Sequence, residues 1–222
     1  MLINLGHVTD VEDENYFPSE WKTLPTVDEY PPTHFWDDGS PKRHWCFLSE
    51  IVSATKNLLG YQVVVKDYCR EEHITVLFPL DSGAADVLRL ESFQAGHTLA
   101  VMNARRELLH NGTWGIHVER YQYPGVHIFP YTHDNTVAIA QALLLIASGI
   151  ASCINCGDEL KHGPPTRCCA SCRLAQYCSP ECQDSAWAYT GHINECVAYQ
   201  DRALQALLTL DFTTYSGPFF FP

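Results

Sequence analysis

The hydrophobic and polar positions between residues 44 and 129 mostly follow the two-residue period of β-strands. Tyr61, Val63 and Val65 stand at alternating positions, which is typical of a strand with one buried face. Similar patterns recur along this part of the chain. They predict strands at 44–52, 61–66, 74–78, 98–109, 114–118 and 126–129.

A helical pattern separates the third predicted strand from the fourth. Residues 84–94 fit a short helix that ends before Gly96, a residue type common just after helices. The order of three strands, a helix and two further strands is that of an OB-fold barrel. The sequence therefore predicts a small OB-like β-barrel over residues 41–133, with an SH3-like barrel or a β-meander as alternatives.

Two further helices are predicted after the strands. Residues 134–150 are apolar almost all round, and Asp134 or Thr136 can cap their start. This run is too short to cross a bilayer, so we expect a buried connecting helix and no membrane segment. Residues 197–222 combine a helix predicted at 197–210, with leucines on one face, and an aromatic tail that we expect to dock on the protein. A partner-binding end is the alternative for the tail.

Residues 1–40 differ from the rest of the chain in composition. They contain nine acidic residues and one basic residue, Lys22, with prolines and aromatic residues interspersed. We expect an irregular acidic arm that lies over the next domain. A recognition segment for another protein and plain disorder are the alternatives.

The charge distribution bears on the class of partner. The chain has a net charge of −12, and residues 41–133 contain nine acidic and nine basic residues, so that no basic patch stands out. Because nucleic-acid binding depends on neutralising phosphates, this balance disfavours it. Binding of single-stranded nucleic acid through the barrel, in a transcription-related role, is therefore the alternative function and not the leading one.

Candidate chemistry is concentrated near the C-terminal end. Seven of the ten cysteines and one histidine form pairs spaced C-x2-C, C-x2-C, C-x3-C and H-x3-C. A C-x2-C pair presents two thiolates from a tight turn, and we expect H-x3-C and C-x3-C pairs to present theirs from successive turns of a helix, because residues four apart share a face. Eight ligands make two tetrahedral zinc sites without an open coordination position, which disfavours catalysis at zinc. The ligands are Cys153, Cys156, Cys169, Cys172, Cys178, Cys182, His192 and Cys196.

The grouping of these cysteines also bears on the cellular compartment. They fall within one short window, whereas a secreted disulfide framework would spread them along the chain. The first residues lack the basic and apolar regions of a signal peptide. We therefore expect an intracellular protein of the nucleus or cytoplasm.

The same segment contains further signature residues. Tyr177-Cys178-Ser179, Cys182-Gln183 and Trp187, together with the ligand spacing, resemble the MYND-type zinc finger over residues 153–196. The predicted barrel looks like the domain that precedes this finger in some fungal proteins. The resulting fold class is α+β, with an OB-like barrel, a connecting helix and a MYND finger at 151–196.

The resemblance implies how the ligands are paired. It gives two structural Zn²⁺ ions in interleaved, cross-braced sites, the first held by Cys153, Cys156, Cys178 and Cys182. The second is held by Cys169, Cys172, His192 and Cys196. Cys168 adjoins Cys169 and could compete as a ligand, but only Cys169 forms C-x2-C with Cys172.

The resemblance also implies a partner. Members of the family bind proline-rich segments in a shallow groove lined by a glutamine and a tryptophan, which Gln183 and Trp187 match. Ala170 departs from the small polar residue expected beside that groove. The alternative is that Gln183 and Trp187 only pack the helix of the finger.

These features predict an adaptor that binds a protein partner with a proline-rich segment. No glycine-rich cofactor loop and no Ser/His/Asp arrangement stands in the sequence. An enzyme is therefore the third hypothesis, and we expect no enzymatic activity.

Overall fold

The computed structural model describes residues 10–29, 44–58, 60–69, 73–79, 92–147, 152–160, 167–189, 191–215 and 219–222. Residue contacts divide the chain into two compact units. We call Val11–Thr136 with Asp211–Phe221 the sheet unit and Val137–Leu210 the finger unit.

The sheet unit contains one mixed β-sheet. Within the described residues its strands are β1 Cys46–Asn57, β2 Gly60–Lys66, β3 His73–Pro79, β4 Thr98–Met102, β5 Arg106–Leu108, β6 Trp114–His117 and β7 Val126–Phe129. Their order across the sheet is β5-β6-β3-β2-β1-β4-β7. Neighbouring strands are antiparallel except β3 and β6, which are parallel.

The predicted closed OB-like barrel is not confirmed. The strand predicted at 98–109 is interrupted after β4, where Asn103 has a left-handed φ of 53° and the chain turns. It continues as β5, which lies at the other end of the strand order. Across the ranges given above, no strand pairing joins the end strands β5 and β7, so the sheet is open.

Aromatic side chains of the predicted strands fill the core of the sheet unit. Trp45, Phe47, Tyr61 and Phe78 are buried in one cluster with aliphatic side chains of β2, β3 and β4. The burial of alternate residues in β2 and β3 follows the pleat of the strands. Trp114 differs, because 52% of its surface is exposed.

The described part of the N-terminal segment packs against this sheet. A 3-10 turn at Trp21–Thr23 buries Trp21, whose backbone N–H donates to an Asp67 carboxylate oxygen at 3.1 Å. Thr26 forms a parallel bridge with Arg106 of β5. Residues 1–9 and 30–40 of the predicted arm lie outside the described residues, as does most of the helix predicted at 84–94.

The remaining elements follow β7. They are α1 His133–Ala147, β8 Arg167–Cys168, β9 Gln176–Tyr177, α2 Pro180–Ala188, α3 His192–Tyr199 and α4 Arg202–Leu208. Within the described ranges, none of the helices has the length and apolar character needed to span a membrane.

The helix predicted at 197–210 is two helices instead of one. The Asp201 side chain caps α4 by accepting hydrogen bonds from the N–H groups of Ala203 and Leu204 at 2.9 and 3.1 Å. A cap of this kind starts a new helix, so α3 ends at Tyr199.

The C-terminal tail docks within the sheet unit, as predicted. The N–H of Phe221 donates to the carbonyl of Pro124 at 2.9 Å. The Phe221 ring also lies 5.1 Å from the ring of His127 and 6.2 Å from that of Phe129, measured between centroids. These contacts hold residues 219–221 against β7 and the turn before it.

Candidate metal centre

Four thiols from separate parts of the finger unit form the first cluster. The Sγ atoms of Cys153, Cys156, Cys178 and Cys182 all lie within 4.8 Å of one another. Cys178 Sγ is 3.6 Å from Cys156 Sγ and 3.4 Å from Cys182 Sγ. Tetrahedral zinc with Zn–S bonds of about 2.3 Å places sulfur atoms about 3.8 Å apart. The donors and their spacing therefore fit one Zn²⁺.

Local backbone structure presents these thiols. Gly157 closes the turn after Cys156 with a φ of 77° and donates its N–H to the Cys153 carbonyl at 2.8 Å. Ser179 caps α2 by accepting from the Cys182 N–H at 3.2 Å. Cys178 therefore precedes the helix, and the prediction that C-x3-C spans two helical turns is wrong at that residue.

The second cluster is buried. It consists of Cys169, Cys172, His192 and Cys196, whose ligand atoms lie within 4.8 Å of one another. Cys169 Sγ lies 3.7 Å from Cys196 Sγ, and Cys172 Sγ lies 3.9 Å from His192 Nε2. His192 and Cys196 project from successive turns of α3, as predicted. Three thiolates and an imidazole nitrogen are also a zinc ligand set.

The two clusters interleave along the chain. The first and third ligand pairs meet in one cluster, and the second and fourth pairs meet in the other. This is the arrangement that the resemblance implied, and it is consistent with two zinc ions. Cys169 is buried in its cluster, whereas Cys168 is exposed on β8.

The thiols of the first cluster differ in pKa because their hydrogen-bond surroundings differ. Burial raises the pKa of Cys153, but backbone N–H groups of Cys156, Cys178 and Asn155 outweigh it and bring that pKa to about 6. Hydrogen bonds with other thiols, that of Cys182 first, raise the pKa of Cys178 to about 12. Bound Zn²⁺ favours the thiolate form of every ligand, so binding releases protons.

Aromatic rings surround His192 and fix its orientation. Its ring lies 5.5 Å from that of Trp187 and 5.9 Å from that of Tyr177, both in T-shaped contact, and 5.9 Å from that of Tyr199. Burial lowers the pKa of His192, which keeps the imidazole neutral and leaves Nε2 able to bind a metal. No motif in the sequence indicates this packing role for Tyr199.

A residue that the sequence analysis missed lies beside this histidine. Glu195 Oε2 is 3.8 Å from His192 Nδ1, which is buried without a hydrogen-bond partner among the described residues. Burial also raises the pKa of Glu195. A metal-bound histidine usually donates its other N–H to a carboxylate or carbonyl. The i+3 spacing from His192 on α3 is the sequence signal that could have identified Glu195.

The two predicted partner-binding residues lie together on α2. Gln183 and Trp187 are one helical turn apart and both are partly exposed. The Trp187 ring is in T-shaped contact with the His192 ring, so the tryptophan packs within the finger while part of its surface stays exposed. Ala170, the departure from the family pattern, is exposed.

Comparison with known proteins agrees with this geometry. Residues 153–196, which contain both clusters, match the family model of the MYND finger. A search of curated proteins finds no match to the chain.

Proposed function

We propose that this protein is a non-enzymatic adaptor that binds proline-containing segments of a partner protein. Residues 153–196 are a MYND finger, which is a zinc-binding protein-interaction domain. The observation that carries the proposal is the placement of Gln183 and Trp187. They share one partly exposed face of α2, and the Trp187 ring packs against His192, a ligand of the second cluster.

The chemistry of this face suits a proline-rich ligand. An extended polyproline segment has no internal hydrogen bonds, so its carbonyl groups are free to accept from a side-chain amide such as that of Gln183. An aromatic ring such as that of Trp187 offers a flat apolar surface for proline rings. Because the contact with His192 already orders Trp187, little side-chain entropy remains to be lost on binding.

The zinc ions have a structural role in this proposal. Each cluster supplies four protein ligands, which fills a tetrahedral zinc site. Structural zinc contributes about 10–16 kcal/mol of apparent binding energy in model peptides, enough to order a segment with a small core. The metal therefore holds α2 and α3 in place and does not itself contact the ligand.

The proposal is tested with displayed peptides that carry a fixed Pro-Pro pair and four randomised positions on each side. The full-length, zinc-loaded protein should enrich a defined set of sequences. The Gln183→Ala, Trp187→Ala double variant should lose that enrichment while native mass spectrometry still finds two zinc ions per chain.

A matched control uses α3 of the same finger. Asn194 and Val197 are exposed and lie outside the proposed surface, so Asn194→Ala with Val197→Ala should leave peptide enrichment unchanged. If the Gln183 and Trp187 variant keeps both zinc ions and selects the same peptides as the native protein, the proposal is wrong.

A further inference from the structure

The finger unit contains a cavity that is separate from the Gln183 and Trp187 face. Its volume is about 340 Å³, and it lies between α1 and the zinc-binding turns. The apolar part of the cavity wall includes Leu145 and Ile146 of α1 and Leu174 of the finger. Glu195 contributes a carboxylate. Ligand pockets for whole small molecules run from about 300 to 1,000 Å³, so this cavity lies at the small end of that range and has room for one long side chain.

The carboxylate in this cavity lacks a cationic partner among the described residues. The side chain of Glu195 is 45% exposed, and Nδ1 of the buried His192 imidazole, which burial keeps neutral, lies 3.8 Å from its carboxylate. Among the described residues, no lysine or arginine lines the cavity. A half-buried carboxylate without a cation is costly, and an approaching cation would lower that cost.

Both zinc clusters, with their thiolate ligands, add negative charge near the cavity. Cys153, which lines the cavity, belongs to the first cluster. Four thiolates around one Zn²⁺ leave a net charge of −2. Glu195 precedes Cys196 of the second cluster, where three thiolates and a neutral imidazole leave −1. Charges near a partly enclosed cavity are poorly screened, so the local potential favours a cation.

We propose that this cavity binds a lysine or arginine side chain of the partner polypeptide. The methylene groups of such a side chain would pack on Leu145, Ile146 and Leu174, and its cationic head would pair with Glu195. Lysine and arginine combine an apolar stem with a charged end, which matches a wall of this kind. The inference rests on the proposed function, because the same peptide supplies the proline segment at Gln183 and Trp187.

Binding of the cation is tested directly with N-acetyl-arginine amide and the uncharged, nearly isosteric N-acetyl-citrulline amide. Methyl NMR signals of Leu145, Ile146 and Leu174 are followed in the full-length, zinc-loaded protein. The arginine probe should give saturable shifts and the citrulline probe should not. Equal shifts with both probes, or no saturable shift with arginine, would overturn the inference.

Two variants locate the effect at the cavity. Glu195→Gln should weaken binding of the arginine probe by about tenfold or more, because a charge-assisted hydrogen bond is lost. Glu181→Gln removes the same charge from an exposed position on α2 that does not line the cavity, and it should leave binding unchanged. Native mass spectrometry must show two zinc ions in both variants. Unchanged arginine binding in Glu195→Gln would contradict the inference.

The displayed peptides separate the two proposals. Native protein should enrich lysine or arginine at a fixed distance from the Pro-Pro pair, and Glu195→Gln should lose that preference while still selecting proline sequences. Proline selection without a basic preference contradicts the cavity inference alone. Binding of the arginine probe without proline selection contradicts the proposed function and supports the cavity as a cation site.

Discussion

Cys168 and Cys169 are sequence neighbours with different surroundings. Cys169 is buried, and its Sγ atom lies 3.7 Å from Cys196 Sγ. Cys168 is exposed on β8. We therefore expect Cys169→Ser to reduce the zinc content from two ions per chain to one, and Cys168→Ser to leave it at two. A zinc assay on the purified variants measures this. Loss of an ion from Cys168→Ser, with Cys169→Ser unaffected, would reverse the assignment.

Gly60, at the start of β2, is a second residue whose identity the structure explains. Its φ is 147°, and an added Cβ would lie 2.1 Å from the carbonyl oxygen of Phe78. Because that atom belongs to the backbone of β3, it cannot easily move away. We expect Gly60→Ala to lower the free energy of unfolding by about 2 kcal/mol or more.

A control for this substitution separates crowding from backbone strain. Gly112 also has a positive φ, of 78°, but nothing lies within 4 Å of its Cβ position. Gly112→Ala should cost only the left-handed strain, about 1–2 kcal/mol. Urea unfolding of both zinc-loaded variants measures the difference, and a smaller loss for Gly60→Ala would contradict the crowding argument.

Local patterns predicted most of the elements. Alternating apolar positions located β2 and β3, and ligand spacing identified the eight zinc ligands, whereas their grouping into two clusters came from the resemblance to the MYND finger. The interruption after β4 could not be read in this way, because it depends on contacts that are distant in sequence. Arg106 of β5 donates its N–H to Pro25 of the N-terminal segment at 2.9 Å, a pairing that no local pattern indicates.

Two other predictions, both about where a helix starts, are wrong although the sequence contains the signal that corrects them. Ser179-Pro180 is a strong helix start, an N-cap followed by proline at the first helical position. It places Cys178 outside α2, although the C-x3-C spacing suggested a helix. Asp201 similarly marks the start of α4 inside the segment 197–210, where the leucine periodicity predicts one continuous helix. In both cases a capping residue outweighs a periodicity.

The cap at Asp201 makes a testable contribution at the level of the helix. Its carboxylate accepts from two N–H groups of α4, at 2.9 and 3.1 Å. We expect Asp201→Ala to lower the free energy of unfolding by about 1 kcal/mol. Asp184→Ala, at an exposed position within α2, should change it by less than about 0.5 kcal/mol. Equal effects in thermal unfolding would argue against the cap.

Charge and burial across the whole molecule bear on nucleic-acid binding. The chain has a net charge of −12, and the aromatic residues Trp45, Phe47, Tyr61 and Phe78 are buried in the core. Single-stranded nucleic acid needs a basic groove and exposed rings for stacking. We therefore expect no binding of a labelled oligonucleotide in fluorescence anisotropy at low salt. Binding that weakens as salt is added would revive that alternative.

The central claim is that two cross-braced zinc ions hold the finger, and native mass spectrometry of paired variants tests it most directly. The native chain should carry two zinc ions. Cys156→Ser with Cys182→Ser alters one cluster and should leave one ion, whereas Cys156→Ser with Cys172→Ser alters both clusters and should leave none. One ion or none in the native chain, or no ion in the Cys156 and Cys182 variant, would contradict the account.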